Sequence, residues 1–171
     1  WLAECLRAQF GEADALALLD QYKKEAENFV IMLGGEHSVS NGAFKAISAK
    51  ENADNITIVQ IDEHMELRDS DADYNPEPHG KYAHCSVMRR AHELGFKLVQ
   101  IGVRAYTKDE LEYALKNKIK FFEWGNGKAP SAALIIKSIK TKKVYLTIDV
   151  DGIDPSHMPA TGTPVQGGLE W

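Results

Sequence analysis

The sequence predicts an α/β domain built on a parallel sheet with helices on both of its faces. Three observations carry that reading: short apolar runs of strand length alternate with amphipathic segments of helical length; the connections are long enough for crossovers; and the polar clusters all fall just after the apolar runs. Parallel neighbours need a crossover of a dozen residues or more, and right-handed crossovers place helices over the sheet. With 171 residues, 44% of them hydrophobic and 26% charged, the chain can bury one sizeable core and fits one domain better than two.

The elements follow in order. Residues 1–28 hold apolar positions at helical spacing (Leu2, Leu6, Phe10, Leu16, Leu19), interrupted by Gly11, which predicts one or two covering helices. The run from Phe29 to Leu33, closed by Gly34-Gly35, reads as a buried strand, after which Ser38 is placed to cap a helix reaching Lys50. A β-branched strand is predicted from Ile56 to Ile61, an acidic loop from Asp62 to Gly80, and a helix from Ser86 to Leu94. The alternation then continues with strand Lys97 to Val103, helix Lys108 to Asn117, strand Ile119 to Glu123, helix Ser131 to Ile139 and strand Lys143 to Ile148. Prolines and glycines gather between Gly152 and Gly168, which predicts a long ordered loop.

Composition narrows the function. The 20 basic and 25 acidic residues give a net charge of −5, which argues against generic nucleic-acid binding and favours small molecules or metals. No apolar run reaches the roughly 18 residues of a membrane span, and the N-terminus has no signal-peptide pattern, so a cytoplasmic location is the default expectation. Cys5 and Cys85 show no metal-binding spacing and read as packing residues. The start at Trp1 and the stop at Trp171, shortly after Gly167-Gly168, lead to the expectation of one domain incomplete at its C-terminus and at its N-terminus.

The chemistry-bearing residues sit at three strand ends. Asp62, His64 and Glu66 alternate after one strand, Asp149 and Asp151 after another, and His37 follows the Gly-Gly turn of a third. Each pattern alone also fits a structural role: an Asp-x-Asp can be a turn device, an acidic loop can be merely solvated, and a lone histidine can be a packed one. Three of them at the ligand-binding ends of one parallel sheet point instead to a shared site. So many carboxylates in one cleft repel unless cations are present. Oxygen-rich ligation with imidazole and no thiolate favours Mn²⁺. Six ligands suit two ions about 3.5–4 Å apart that share carboxylates, with a bridging hydroxide as the expected nucleophile.

Three blocks of this sequence resemble the ureohydrolase family of arginase, agmatinase, guanidinobutyrase and formimidoylglutamase. Gly34-Gly35-Glu36-His37-Ser38 is similar to the family's Gly-Gly-Asp/Glu-His-Ser block, and Asp62-Glu63-His64-Met65-Glu66 to its Asp-Ala-His-x-Asp block. Thr147 to Gly168, reading TIDVDGIDPSHMPATGTPVQGG, is similar to its Asp-x-Asp signature loop. The resemblance implies a three-layer αβα fold with a mainly parallel sheet and a dimanganese centre. Its ligands would be His37, Asp62, His64, Glu66, Asp149 and Asp151, with Asp62 and Asp149 as bridges. It further implies hydrolysis of a guanidino group to urea and an amine, and a homo-oligomer of three or six subunits.

Tyr82-Ala83-His84 resembles the family's loop histidine, which makes His84 the candidate general acid/base, since histidine titrates near neutral pH. His79 and His92 match no motif and read as solvent-facing, and His157 falls at a variable position of the signature loop. Two departures stand out. Glu63 replaces a small residue, and Glu66, one methylene longer, replaces an aspartate. The family's acidic substrate contact beyond its Gly-Gly-Leu stretch also has no clear counterpart, because Glu170 comes too early.

Agmatine, cleaved to putrescine and urea in polyamine biosynthesis, is the expected substrate. The loop RDSDADYNPEPHGKYAHC lacks the Asn/Ser/Thr-rich pattern of arginases, and its acidity suits a cationic tail. The alternatives are another guanidino substrate such as arginine or guanidinobutyrate, and a metal-binding homologue that has lost turnover through Glu63 and Glu66. A deacetylase on the related fold would use a different ligand arrangement.

Overall fold

Four parallel strands form the sheet, in the spatial order β3-β2-β1-β4: β1 Ile56–Ile61, β2 Lys97–Val103, β3 Lys120–Glu123 and β4 Lys143–Ile148. The computed structural model describes residues 30–74, 80–125, 127 and 129–170. The expected helices over residues 1–28, Cys5 and His79 lie outside them. Four α-helices accompany the strands: α1 Ser40–Ser48, α2 Val87–Glu93, α3 Lys108–Lys116 and α4 Ala132–Ser138. The predicted β1, β2 and β4 agree with the structure residue for residue, and the helices differ by a residue or two at their ends.

Strand alternation divides the core between the two faces of the sheet. Ile58 and Leu98 point to one side, where Phe44, Val87, Met88, Ala91, Phe96 and Ala114 from α1, α2, α3 and their flanks cover them. Val59, Val99, Ile101 and Phe122 point to the other, against Ile135 and Ile139 from α4 and the residue after it. Val103 would share the face of Ile101 in a regular strand, yet it joins the first cluster. The cause is a register irregularity at Gly102, whose φ of 94° is open to glycine and turns the strand end over.

Two local expectations fail. Val30 to Leu33, the described part of the predicted first strand, forms no strand, and Leu33 is 93% exposed. A buried strand needs a neighbour, and among the described residues β4 pairs with β1 alone, leaving its outer edge and Val144, Leu146 and Ile148 open. The cap also differs. Glu36, rather than Ser38, accepts the Ser38 backbone N–H and the Ser38 hydroxyl, and a 3₁₀ turn His37–Val39 precedes α1.

Helix α3 starts on a complete capping box. Glu110 N–H donates to Thr107 Oγ1 at 3.3 Å and Thr107 N–H to Glu110 Oε2 at 2.8 Å. The other oxygen, Glu110 Oε1, accepts the buried backbone N–H of Leu67 at 2.9 Å. One carboxylate thus joins the helix start to the loop leaving β1. Glu110→Ala removes the cap and orphans a buried donor, so a loss of about 2–3 kcal/mol is expected from denaturant midpoints, against about 1 for Thr107→Ala.

Candidate metal centre

The backbone ladder of the sheet runs on past the ends of β1 and β4. Asp62 N–H donates to Ile101 O at 3.0 Å, and Asp149 N–H to Ile61 O at 2.8 Å, so the first residues after these strands stay in register. Two glycines let the three strand ends close around Asp62. A Cβ on Gly102 would lie 2.9 Å from Asp62 O, and one on Gly152 would lie 2.9 Å from Asp62 N.

The side chains then converge. His37 Nδ1 lies 3.2 Å from Asp62 Oδ2 and 3.4 Å from Asp149 Oδ2. Its Nε2 is held by Thr147 Oγ1 at 3.1 Å. His64 Nδ1 lies 3.2 Å from Asp151 Oδ2, 3.6 Å from Asp62 Oδ1 and 3.8 Å from Glu66 Oε1. Two groups of ligand-type atoms result, His37–Asp62–Glu66 and Asp62–His64–Asp151, each with its atoms within 4.8 Å of one another and both sharing Asp62. All six residues expected from the sequence therefore meet in one place. The longer Glu66 reaches the cluster from a left-handed backbone (φ 54°), while its carbonyl accepts the first N–H groups of α2, from Met88 and Arg89.

Charge and burial oppose each other here. Burial would raise the Asp62 carboxyl, but its contacts with His37 and His64 outweigh that and hold it well below the usual carboxylate range. Burial, and then the negative charge of Asp62, drive Glu66 well upward; the same two influences, with Asp151, raise Asp149. Burial pulls both imidazoles down, yet their carboxylate neighbours prevail: His37 is raised, and His64 is pushed up to about 11. The protein without a cation thus holds protons where it would otherwise hold unbalanced negative charge. His37 Nδ1 and Glu66 Oε2 are buried without a hydrogen-bond partner, and His37 Nδ1 faces Asp62 and Asp149. Orphaned lone pairs in an oxygen-and-imidazole donor set fit divalent cations.

Several residues that support the site were not singled out from the sequence. Gln60 Nε2 donates to Asp62 Oδ2 at 2.7 Å, and Gln100 Nε2 donates to Gln60 Oε1 and to Met65 O, each at 2.6 Å. Both glutamines are fully buried, and a glutamine inside an otherwise apolar strand run is the one sequence signal that could have flagged them. Thr163 Oγ1 donates to Asp151 Oδ2 at 3.0 Å. Asp154 ties the signature loop together by accepting the N–H groups of Ser156, Gly167 and Gly168, which hold its carboxyl well below the usual range.

Other expectations are modified. His84 is exposed in a 3₁₀ turn, and among the described residues no hydrogen bond or ion pair joins it to the cluster. His92 is not solvent-facing: it is half-buried and hydrogen-bonded to Tyr113 Oη at 2.7 Å. Cys85 is buried and free, as a packing residue would be. The acidic loop is less available to a cationic tail than its composition suggests, because Asp69, Asp71 and Asp73 each pair with an arginine, among Arg68, Arg89 and Arg90.

The close approach at Gly152 gives a direct test. Gly152→Ala forces a methyl group against Asp62 and Ile61 backbone and is expected to cost about 1–3 kcal/mol in an unfolding titration. Gly162→Ala, with nothing within 4 Å, is expected to leave the midpoint unchanged.

Comparison with known proteins places this arrangement. The chain is 39% identical over 150 residues to the N(1)-aminopropylagmatine ureohydrolase of Synechocystis sp., covering 86% of this chain and 46% of that protein. It is 32% identical over 166 residues to an agmatinase of Bacillus cereus, covering 94% of this chain and 54% of that one. The crystal structure of a putative agmatinase from Clostridium difficile superimposes with a TM-score of 0.71 at 33% identity, over 89% of this chain and 52% of its own length. The chain spans about half the length of the curated relatives it matches. Among the described residues no helix is long and apolar enough to cross a membrane. The model of the arginase family matches residues 12–171, the strand-end carboxylates and histidines included, and the chain belongs to that family.

Proposed function

We propose that this protein is a manganese-dependent ureohydrolase that cleaves the guanidino group of an agmatine-type amine in the cytoplasm, releasing urea. The observation that carries the reading is the pair of ligand groups sharing Asp62, drawn from the carboxyl ends of the parallel strands β1 and β4 and from His37 in the 3₁₀ turn beside them. His37, Asp62, Glu66 and Asp149 would hold one Mn²⁺, and Asp62, His64, Asp149 and Asp151 the other. Bound there, two divalent ions supply Lewis acidity and make water acidic enough to attack at neutral pH.

The chain's own residues do the rest. Asp62, fixed by Gln60, keeps the two groups at one separation. Asp151 is held by Thr163, which ties the signature loop to the cluster. His84, exposed at the loop that follows the cluster, is proposed to pass a proton to the departing amine. A second substrate reading comes from the relatives. Several of them are named N(1)-aminopropylagmatine ureohydrolases, so an agmatine extended by an aminopropyl group is the alternative to agmatine itself.

Urea release from agmatine, N(1)-aminopropylagmatine, arginine and guanidinobutyrate in the presence of Mn²⁺ tests the reading. Turnover of one of the first two is expected, and no urea from any of the four would overturn it. His84→Ala should lower kcat by about 10²-fold or more and leave two Mn²⁺ bound.

Metal binding has a predicted pH dependence. His37, His64, Glu66 and Asp149 all hold their protons more tightly than isolated groups do, and a cation must displace those protons. Apparent Mn²⁺ affinity is therefore expected to weaken as the pH falls, with net proton release on binding. Calorimetry in buffers of different ionisation enthalpy measures that release directly; a binding heat independent of the buffer would contradict it.

A further inference from the structure

His64 presents two different faces, and only one of them belongs to the cluster. Nδ1 looks toward Asp151, Asp62 and Glu66. Nε2 looks the other way, and 3.3 Å from it lies Glu63 Oε1, a buried carboxylate oxygen with no hydrogen-bond partner. Glu63 is itself fully buried. A buried, unpartnered acceptor facing a ring nitrogen calls for a proton on that nitrogen.

The carboxylate is held from behind. Glu63 Oε2 pairs with Arg104 Nη2 at 3.3 Å, and the backbone N–H groups of Arg104 and Ala105 both donate to Glu63 O at 2.9 Å. The guanidinium is also buried, and its other contacts are carbonyls: Gly102 at 3.0 Å, Val165 at 2.9 Å, Gly152 at 3.4 Å and Asp151. Arg104 therefore pins together the ends of β1 and β2 and the signature loop, and Glu63 is the side chain through which that clamp reaches His64.

We infer that Glu63, anchored by Arg104, is the positioning residue for His64, accepting its Nε2–H so that the Nδ1 lone pair is presented to a metal ion. A neutral imidazole carries one N–H, and an acceptor at Nε2 selects the tautomer whose Nδ1 is free to ligate. The carboxylate also makes His64 a stronger donor to the ion. Position 63, which departs from the family pattern, thereby serves the metal site without touching metal. The inference rests on the reading of His64 as a ligand.

Calorimetric titration of Mn²⁺ into the wild-type chain, Glu63→Ala, Glu63→Met, Glu63→Gln and Arg104→Met tests it. The wild type is expected to bind two ions. Glu63→Met, which keeps the volume but removes the acceptor, and Glu63→Ala should each weaken one of the two sites by about tenfold to a hundredfold and leave the other within twofold. Glu63→Gln retains an acceptor oxygen and should recover most of the loss, and Arg104→Met should weaken the same site. A purely structural role would instead lower the melting temperature of the metal-free protein and affect both sites together. Unchanged affinities in Glu63→Met, or equal loss at both sites without rescue by Gln, would overturn the inference. Two ions bound without urea release would overturn the proposed function alone, and no metal binding by the wild type would overturn both.

Discussion

Carboxylates buried side by side are the constraint around which this structure is organised. Asp62, Glu66 and Asp151 are each at most about 5% exposed, and Asp62 shares one group of ligand atoms with Glu66 and another with Asp151. At separations of about 4–5 Å and an effective dielectric of about 20, each such pair repels by roughly 3–4 kcal/mol. The chain meets this in the absence of cations by raising the proton affinity of Glu66 and Asp149 and by keeping His64 charged. Much of the surrounding architecture serves to keep these groups close in spite of that repulsion.

The means are mostly backbone ones. Parallel pairing places the ends of β1, β2 and β4 at one edge of the sheet, glycines at 102 and 152 allow their chains to touch Asp62, and the Gly102 irregularity turns Val103 into the core. Behind the cluster, polar side chains replace the apolar packing expected inside a sheet. The side chains of the Gln60–Gln100 pair and the Glu63–Arg104 pair are buried and hydrogen-bonded, and each ties β1 or the loop after it, which carries cluster residues, to β2 or its end. Such networks cost desolvation and return fixed geometry, which a two-ion site requires.

The two faces of the sheet are unequal in how they are finished. The side bearing Ile58 and Leu98 is closed by three helices, and there Phe44 meets Tyr145 edge to face and Phe96 at a 50° tilt. The side bearing Val59 and Ile101 is covered by α4, and there Val144, Leu146 and Ile148 of the outermost strand are each about half exposed. Val30 to Leu33 are exposed as well, from 39% at Met32 to 93% at Leu33. The site lies at the carboxyl ends of β1 and of the open strand β4, and His37 is held there by Thr147 of β4.

Much of this was legible in the sequence, because local periodicity and residue type are local properties. The strands β1, β2 and β4 were read to the residue, since β-branched runs of that length bounded by polar loops admit little else, and the six cluster residues were readable as carboxylates and imidazoles placed just beyond strand ends. What the sequence could not supply is whatever depends on a partner distant along the chain. The run ending at Leu33 has the composition of a strand but no strand beside it among the described residues. The acidic loop has the composition of a cation site but spends Asp69, Asp71 and Asp73 on arginines. Glu63 looked like a departure that weakens the site, and only tertiary structure, by bringing Arg104 behind it and His64 Nε2 in front, gave it a role. A residue's type fixes the chemistry it can offer, and the folded chain decides which neighbour receives it.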